Sequence, residues 1–67
     1  MEASLNQLKV FHVAAKVQSF TRAAEALFLT QPGISKHIKD LEEYYGTRLF
    51  DRLGKKVVLT QAGEILG

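Results

Sequence analysis

SFTRAAEALFLTQPGISKHIKDLEEYYG, residues 19–46, contains two helical segments separated by a short break. Thr21 is placed to cap a helix over Arg22–Phe28, where Ala23, Ala24 and Ala26 are strong helix formers and small enough for another helix to approach. Leu29-Thr30 interrupts the pattern. Thr30 can cap the next helix, with Gln31 first and Pro32 in the first turn, where a missing N–H costs nothing. Ile34, Ile38, Leu41 and Tyr45 then recur every three or four residues and predict a buried stripe ending at about Tyr45. Gly46 is the expected left-handed terminator. Two consecutive helices with so short a link, the second with an exposed polar start, carry the signature of a helix-turn-helix. Ala24 falls at the crossing, and Leu27 and Leu29 flank the turn.

Upstream, Ser4 and Gln7 read as a capping box for a helix running to about Val17. Leu5, Leu8, Phe11 and Ala15 form its core stripe; Val10, Val13, Ala14 and Val17 form a second apolar strip with no obvious partner within the chain. Downstream the period changes. Arg48–Leu53 and Lys56–Leu59 are strand candidates around Gly54-Lys55, predicting a hairpin with a basic tip. Thr60 caps a last helical start over Gln61–Leu66. The expected fold is mainly α: a winged helix-turn-helix of three helices and a β-hairpin wing over residues 1–59, then a short helical start over 60–67.

The charges are segregated. Lys36, His37 and Lys39 lie on one segment, Arg52, Lys55 and Lys56 on another, and Asp40, Glu42 and Glu43 fall between them. Two basic segments suggest two contact points on a phosphate backbone. With Ile34 and Ile38 turned inward, the outer face of the third helix carries the residue types that a major-groove helix needs. Gln31, Pro32, Ser35 and Lys36 are the candidate base readers: Gln pairs with adenine, Ser bonds several base edges, Lys reaches guanine, and Pro can touch a thymine methyl. Thr21, Arg22, Thr30, Lys39, Arg52, Lys55 and Lys56 are the candidate backbone contacts. For Arg52 the competing expectation is an ion pair with Asp51 or a contact that stabilises the wing. Arg also suits a narrow, electronegative minor groove.

Composition narrows the alternatives. The chain has 67 residues, 46% of them apolar, no cysteine and a net charge of +2, with a pI near 9.2. That is one globular domain without disulfide, iron–sulfur or thiolate–zinc chemistry. No apolar run approaches the roughly 20 residues of a membrane span, and no signal peptide is seen, so a cytoplasmic protein without membrane attachment is expected. No nucleophile–base pair, paired carboxylates, phosphate loop or metal set is visible, so neither enzyme nor cofactor is expected. His12 reads as a surface or structural residue and His37 as a polar helix residue near DNA; neither makes a metal site. Phe11, Phe20, Phe28 and Phe50 read as core, and Tyr45 as the more buried of the Tyr44–Tyr45 pair. A winged helix used as a protein-interaction or dimerisation module is the competing class. The polar, basic start of the third helix argues against it. RNA binding is disfavoured by the lack of stacking aromatics on a sheet.

An ordered string of motifs carries a family resemblance: Ser19-Phe20-Thr21-x-Ala23-Ala24-x-x-Leu27, Thr30-Gln31-Pro32-x-Ile34-Ser35-Lys36-x-Ile38, Leu41-Glu42-x-x-x-Gly46-x-x-Leu49-Phe50-x-Arg52 and Leu59-Thr60-x-x-Gly63. Over roughly Leu5 to Leu66 the chain resembles the N-terminal DNA-binding domain of LysR-type transcriptional regulators. The resemblance implies sequence-specific binding of a double-stranded DNA operator by a bacterial regulator. It implies that residues 60–67 are the truncated start of a linker helix that pairs two subunits. It also implies a dimer or tetramer in the full-length protein, and a small-molecule effector bound by a C-terminal domain absent from this chain. Three positions depart from the family pattern. Lys36 stands where Arg is frequent, which weakens bidentate guanine recognition. Gly33 stands where Ala or Ser is commoner. Phe28 occupies the turn where a helix-turn-helix often has Gly, and a positive φ there would strain it.

Overall fold

The computed structural model describes residues 5–66. In chain order it comprises α1 (Leu5–Val17), α2 (Phe20–Leu27), α3 (Gln31–Tyr45), β1 (Phe50–Leu53), β2 (Lys56–Leu59) and α4 (Gln61–Leu66). This is the mainly helical winged arrangement expected. Ser4, assigned to a capping box, lies outside the described residues.

Caps and terminators define the helix-turn-helix. Ser19, not Thr21, caps α2: its backbone is extended, its Oγ accepts the Arg22 N–H at 3.1 Å, and its carbonyl accepts the Ala23 N–H at 3.0 Å. The frame is set by Phe20, whose ring packs edge-on against Phe50 at 5.5 Å and so draws the first turn of α2 onto the core. Thr21 is left inside the helix and exposed. At the other end Phe28 takes φ 57° and ψ 39°, and the Leu29 N–H bonds the Ala24 carbonyl at 2.9 Å. This is a Schellman closure built on phenylalanine, at a backbone cost of about 1–2 kcal/mol. Thr30 caps α3 as expected, its Oγ1 accepting the Gly33 N–H at 3.2 Å. Gly46 ends α3 at φ 71°, with the Thr47 N–H on the Glu42 carbonyl at 3.1 Å.

The core gathers Val10, Phe11 and Ala14 of α1, Ala23 and Ala24 of α2, and Ile34, Ile38 and Leu41 of α3, closed below by Leu49, Phe50 and Val57. Four expectations are corrected here. Val10 and Ala14, from the supposedly unpartnered strip of α1, are fully buried, and Val13 and Val17 pack against the core. The helix has α2, α3 and β2 around it, so both of its apolar sides find partners. Leu5, counted in the core stripe, is instead 82% exposed. Tyr45, expected in the buried stripe of α3, is 42% exposed, although it is slightly more buried than Tyr44 at 47%. Phe28 is not core: it is 95% exposed.

The hairpin is antiparallel, with Phe50 opposite Leu59 and Leu53 opposite Lys56. Strand pairing begins at Phe50, later than Arg48, because Leu49 and Phe50 first give their N–H groups to the Glu42 carboxylate, at 2.9 and 3.3 Å. The connection turns at Gly54 with φ 64°. The Val57 N–H bonds the Gln18 carbonyl at 3.1 Å and ties the hairpin to the α1–α2 turn. Thr60 caps α4: its Oγ1 accepts the Gly63 N–H at 3.1 Å and donates to the Arg48 carbonyl at 2.6 Å. Gly63 lies against the Leu49 carbonyl oxygen, where a Cβ would collide with it.

Candidate nucleic-acid interface

On α3 each residue advances about 100° around the axis, so the buried stripe of Ile34, Ile38 and Leu41 leaves Gln31, Pro32, Ser35, Lys36 and Lys39 together on one outer face. Within that face the polar groups already engage one another. The Gln31 Nε2 donates to Ser35 Oγ at 2.8 Å, so the amide is held over the first turn. Lys36 Nζ lies 3.2 Å from Asp40 Oδ2, an exposed pair one turn long. Such pairs contribute at most about 1 kcal/mol, so the ammonium is easily released to a stronger anion.

Two grooves bring the remaining cations together. The first, about 160 Å³, lies between α3 and β1; Ser35 and Lys39 form one wall and Arg48 and Arg52 the other. The second, about 370 Å³, lies between the hairpin tip and the α1–α2 turn; Arg22, Lys55 and Lys56 line it with Gln18 and Ser19. Five of the seven expected backbone contacts thus fall in two clusters, each assembled from segments distant in sequence. Thr21 and Thr30 line neither groove, although both are exposed.

Arg52 forms no ion pair with Asp51 but contacts α2 from the hairpin. Its guanidinium carbon sits 6.0 Å from the centre of the Phe20 ring, and it is Arg48 that pairs with Asp51, at 3.4 Å. Arg48 also donates to the Phe50 carbonyl at 3.2 Å. Arg48 lies outside both basic runs of the sequence, and the fold sets it with Arg52 against α3 in the first groove. The acidic segment between those runs is largely occupied. Asp40 faces Lys36, and Glu42 turns inward to the backbone of Leu49 and Phe50.

His37 is not on that outer face of α3. It lies on the flank of α3 toward α1, in a groove of about 210 Å³ with Asn6, Lys9, Val10, Leu27 and Leu29. Its Nδ1 is buried and has no hydrogen-bond partner among the described residues. His12 is exposed and edge-on to Phe11 at 5.4 Å. Among the described residues no group of three His, Cys, Asp or Glu side chains could hold a metal ion. No helix among them is long and apolar enough to cross a membrane.

A helix with a polar outer face, preceded by a tight turn and flanked by a basic hairpin, defines a winged helix-turn-helix domain of the DNA-binding kind. Residues 5–64 match the family described as bacterial regulatory helix-turn-helix proteins of the lysR family. The chain belongs to the LysR family and is a DNA-binding domain of its transcriptional regulators. It is 54% identical over 64 residues to the RuBisCO operon transcriptional regulator of Allochromatium vinosum, covering 96% of this chain and 21% of that protein. The chain spans about a fifth of the length of the curated relatives it matches. Its fold is similar to the crystal structure of a LysR-family regulator from Eggerthella lenta, with TM-score 0.88 and 41% identity over 94% of this chain and 90% of that one. It is also similar to Vibrio fischeri DarR in complex with DNA, with TM-score 0.91 and 39% identity over 98% of this chain and 23% of that one.

Proposed function

We propose that the chain reads a double-stranded operator for a bacterial transcriptional regulator through α3, with Gln31, Pro32, Ser35 and Lys36 at base edges in the major groove. Arg22, Lys55 and Lys56 hold one stretch of phosphate backbone, and Lys39 and Arg52, joined by Arg48, hold another. Thr21 and Thr30 add hydroxyls from the first turn of α2 and the cap of α3. The observation that supports this best is the convergence of these cations, from α2, α3 and the hairpin, into two grooves. Phosphate neutralisation gives affinity and register; the polar face between supplies sequence preference. The functional unit is the winged domain through residue 59, and α4 begins a linker helix that pairs two copies. The full-length protein adds an effector-binding domain and works as a dimer or tetramer in the cytoplasm.

Selection of bound sequences from a random duplex pool tests the reading. A recurring half-site is the expected result. Binding with a salt dependence but no recurring sequence would leave only backbone affinity and remove base reading from α3.

A further inference from the structure

Arg52 occupies an unusual place for a cation. Successive residues of a strand alternate between its faces, so Arg52 shares a face of β1 with the buried Phe50, and its partner across the hairpin is the buried Val57. It stands at the rim of the inward face, exposed, where the first basic groove opens. Two carboxylates line that groove, and neither captures it. Asp51 pairs with Arg48, and Glu42 is occupied by the N–H groups of Leu49 and Phe50. What Arg52 meets is Phe20, whose ring centre lies 6.0 Å from the guanidinium carbon. That ring is itself fixed. It stands edge-on to Phe50 at 5.5 Å, and Phe50 is tilted against the fully buried Phe11 at 5.4 Å. A line of three rings thus runs from the core to the guanidinium. A ring attracts a cation through its π face, so Arg52 is held in place while its N–H fork is spent on no carboxylate.

We propose that Phe20 is a positioning residue for DNA binding: it holds the Arg52 guanidinium ready for a backbone phosphate and raises affinity through Arg52, without touching DNA. The inference rests on the operator-reading role. An arginine that moves freely in water loses its rotamer freedom when it grips a phosphate; one already resting on a fixed ring loses less. The planar guanidinium suits both partners, the ring on one side and two phosphate oxygens on the other. Lys39 on the facing wall of the groove adds a second charge for the same stretch of backbone.

The test is a double-mutant cycle on the full-length protein and its selected operator, with stoichiometric titration giving the folded fraction of each variant. Absence of salt-dependent binding by the unaltered protein would overturn the operator-reading role and this inference with it; every other adverse result leaves that role standing. Arg52→Gln is expected to weaken binding about tenfold and to flatten the salt dependence by about one unit. Phe20→Met still fills the site and packs its thioether on Phe50, but it removes the ring. It is expected to weaken binding about three- to fivefold, as for loss of an exposed cation–π contact. In the Arg52→Gln background the same change should have an effect of less than about 1.5-fold, because the group it positions is gone. Phe20→Tyr keeps the ring and should bind like the unaltered protein, and Phe20→Leu is a second ring-free variant that should behave like Phe20→Met. Three results would overturn the proposal. Equal losses from Phe20→Met with and without Arg52 would mean that Phe20 acts through the fold or touches DNA itself. Unchanged affinity in both ring-free variants would mean that Arg52 needs no ring. Unchanged affinity in Arg52→Gln would take the guanidinium off the DNA.

Discussion

Gln31 and Ser35 act as one unit on the first turn of α3, because the 2.8 Å bond between them orients both groups. Replacing either by Ala should relax base preference by about 1–3 kcal/mol, and the double replacement should cost less than the sum. Lys36→Ala should lower affinity as well, since the ammonium leaves only a weak pair with Asp40 behind. Binding measured across operator variants checks this; full additivity of Gln31→Ala and Ser35→Ala would mean that the two read independently. Phe28 gives a second residue-scale expectation, this one about stability. With φ 57° and the ring 95% exposed, Phe28→Gly should stabilise the fold by about 1 kcal/mol, relief of left-handed strain outweighing the added freedom of the unfolded chain. Denaturant titration reads it directly, and a lowered midpoint would show that the ring packs on something.

At the scale of elements, the hairpin and α4 have separable roles. The hairpin is tied to the body by the Val57–Gln18 bond and carries Arg52, Lys55 and Lys56 outward. Neutralising these three should weaken binding nearly equally on all sequences and flatten the salt dependence by about one unit per lost phosphate contact. An unchanged slope would remove the wing from the backbone. α4 is seated by Thr60 and by close approach of Gly63 to the Leu49 carbonyl. Gly63→Ala should cost about 1–3 kcal/mol as an overpacking change, despite the better helix propensity of Ala. Thermal unfolding of the variant decides; a raised melting temperature would mean that α4 shifts freely on the body.

For the molecule as a whole, the expectation concerns association. The six residues of α4 cannot build the roughly 1,000 Å² that a stable dimer needs, and the second apolar strip of α1 packs into the core. The 67-residue chain should therefore sediment as a monomer at micromolar concentration without DNA. It should hold one half-site weakly and gain affinity when two copies are joined. A dimer of this chain alone would require exposed apolar side chains, such as Leu5, Leu53, Phe28 or Ile65, to pair without a longer helix.

Much of this was legible in residue order, because helix periodicity, caps and turn chemistry are local. Thr30, Pro32 and Gly46 sit where α3 begins and ends, and Gly54-Lys55 is where the hairpin turns. The candidate contacts were legible too, as residue types on a predicted face. What the tertiary structure alone decided is which apolar and charged groups meet, since burial and pairing each need a second partner. α1 turned out to be wrapped on both sides, and Ser19 displaced Thr21 as a cap because Phe20 had to reach Phe50. Arg48 joined Arg52 on one wall of a groove against α3 that spacing could not show. Phe28, by composition a core residue, was sent into solvent because the left-handed closure of α2 points its side chain away from every element that could cover it.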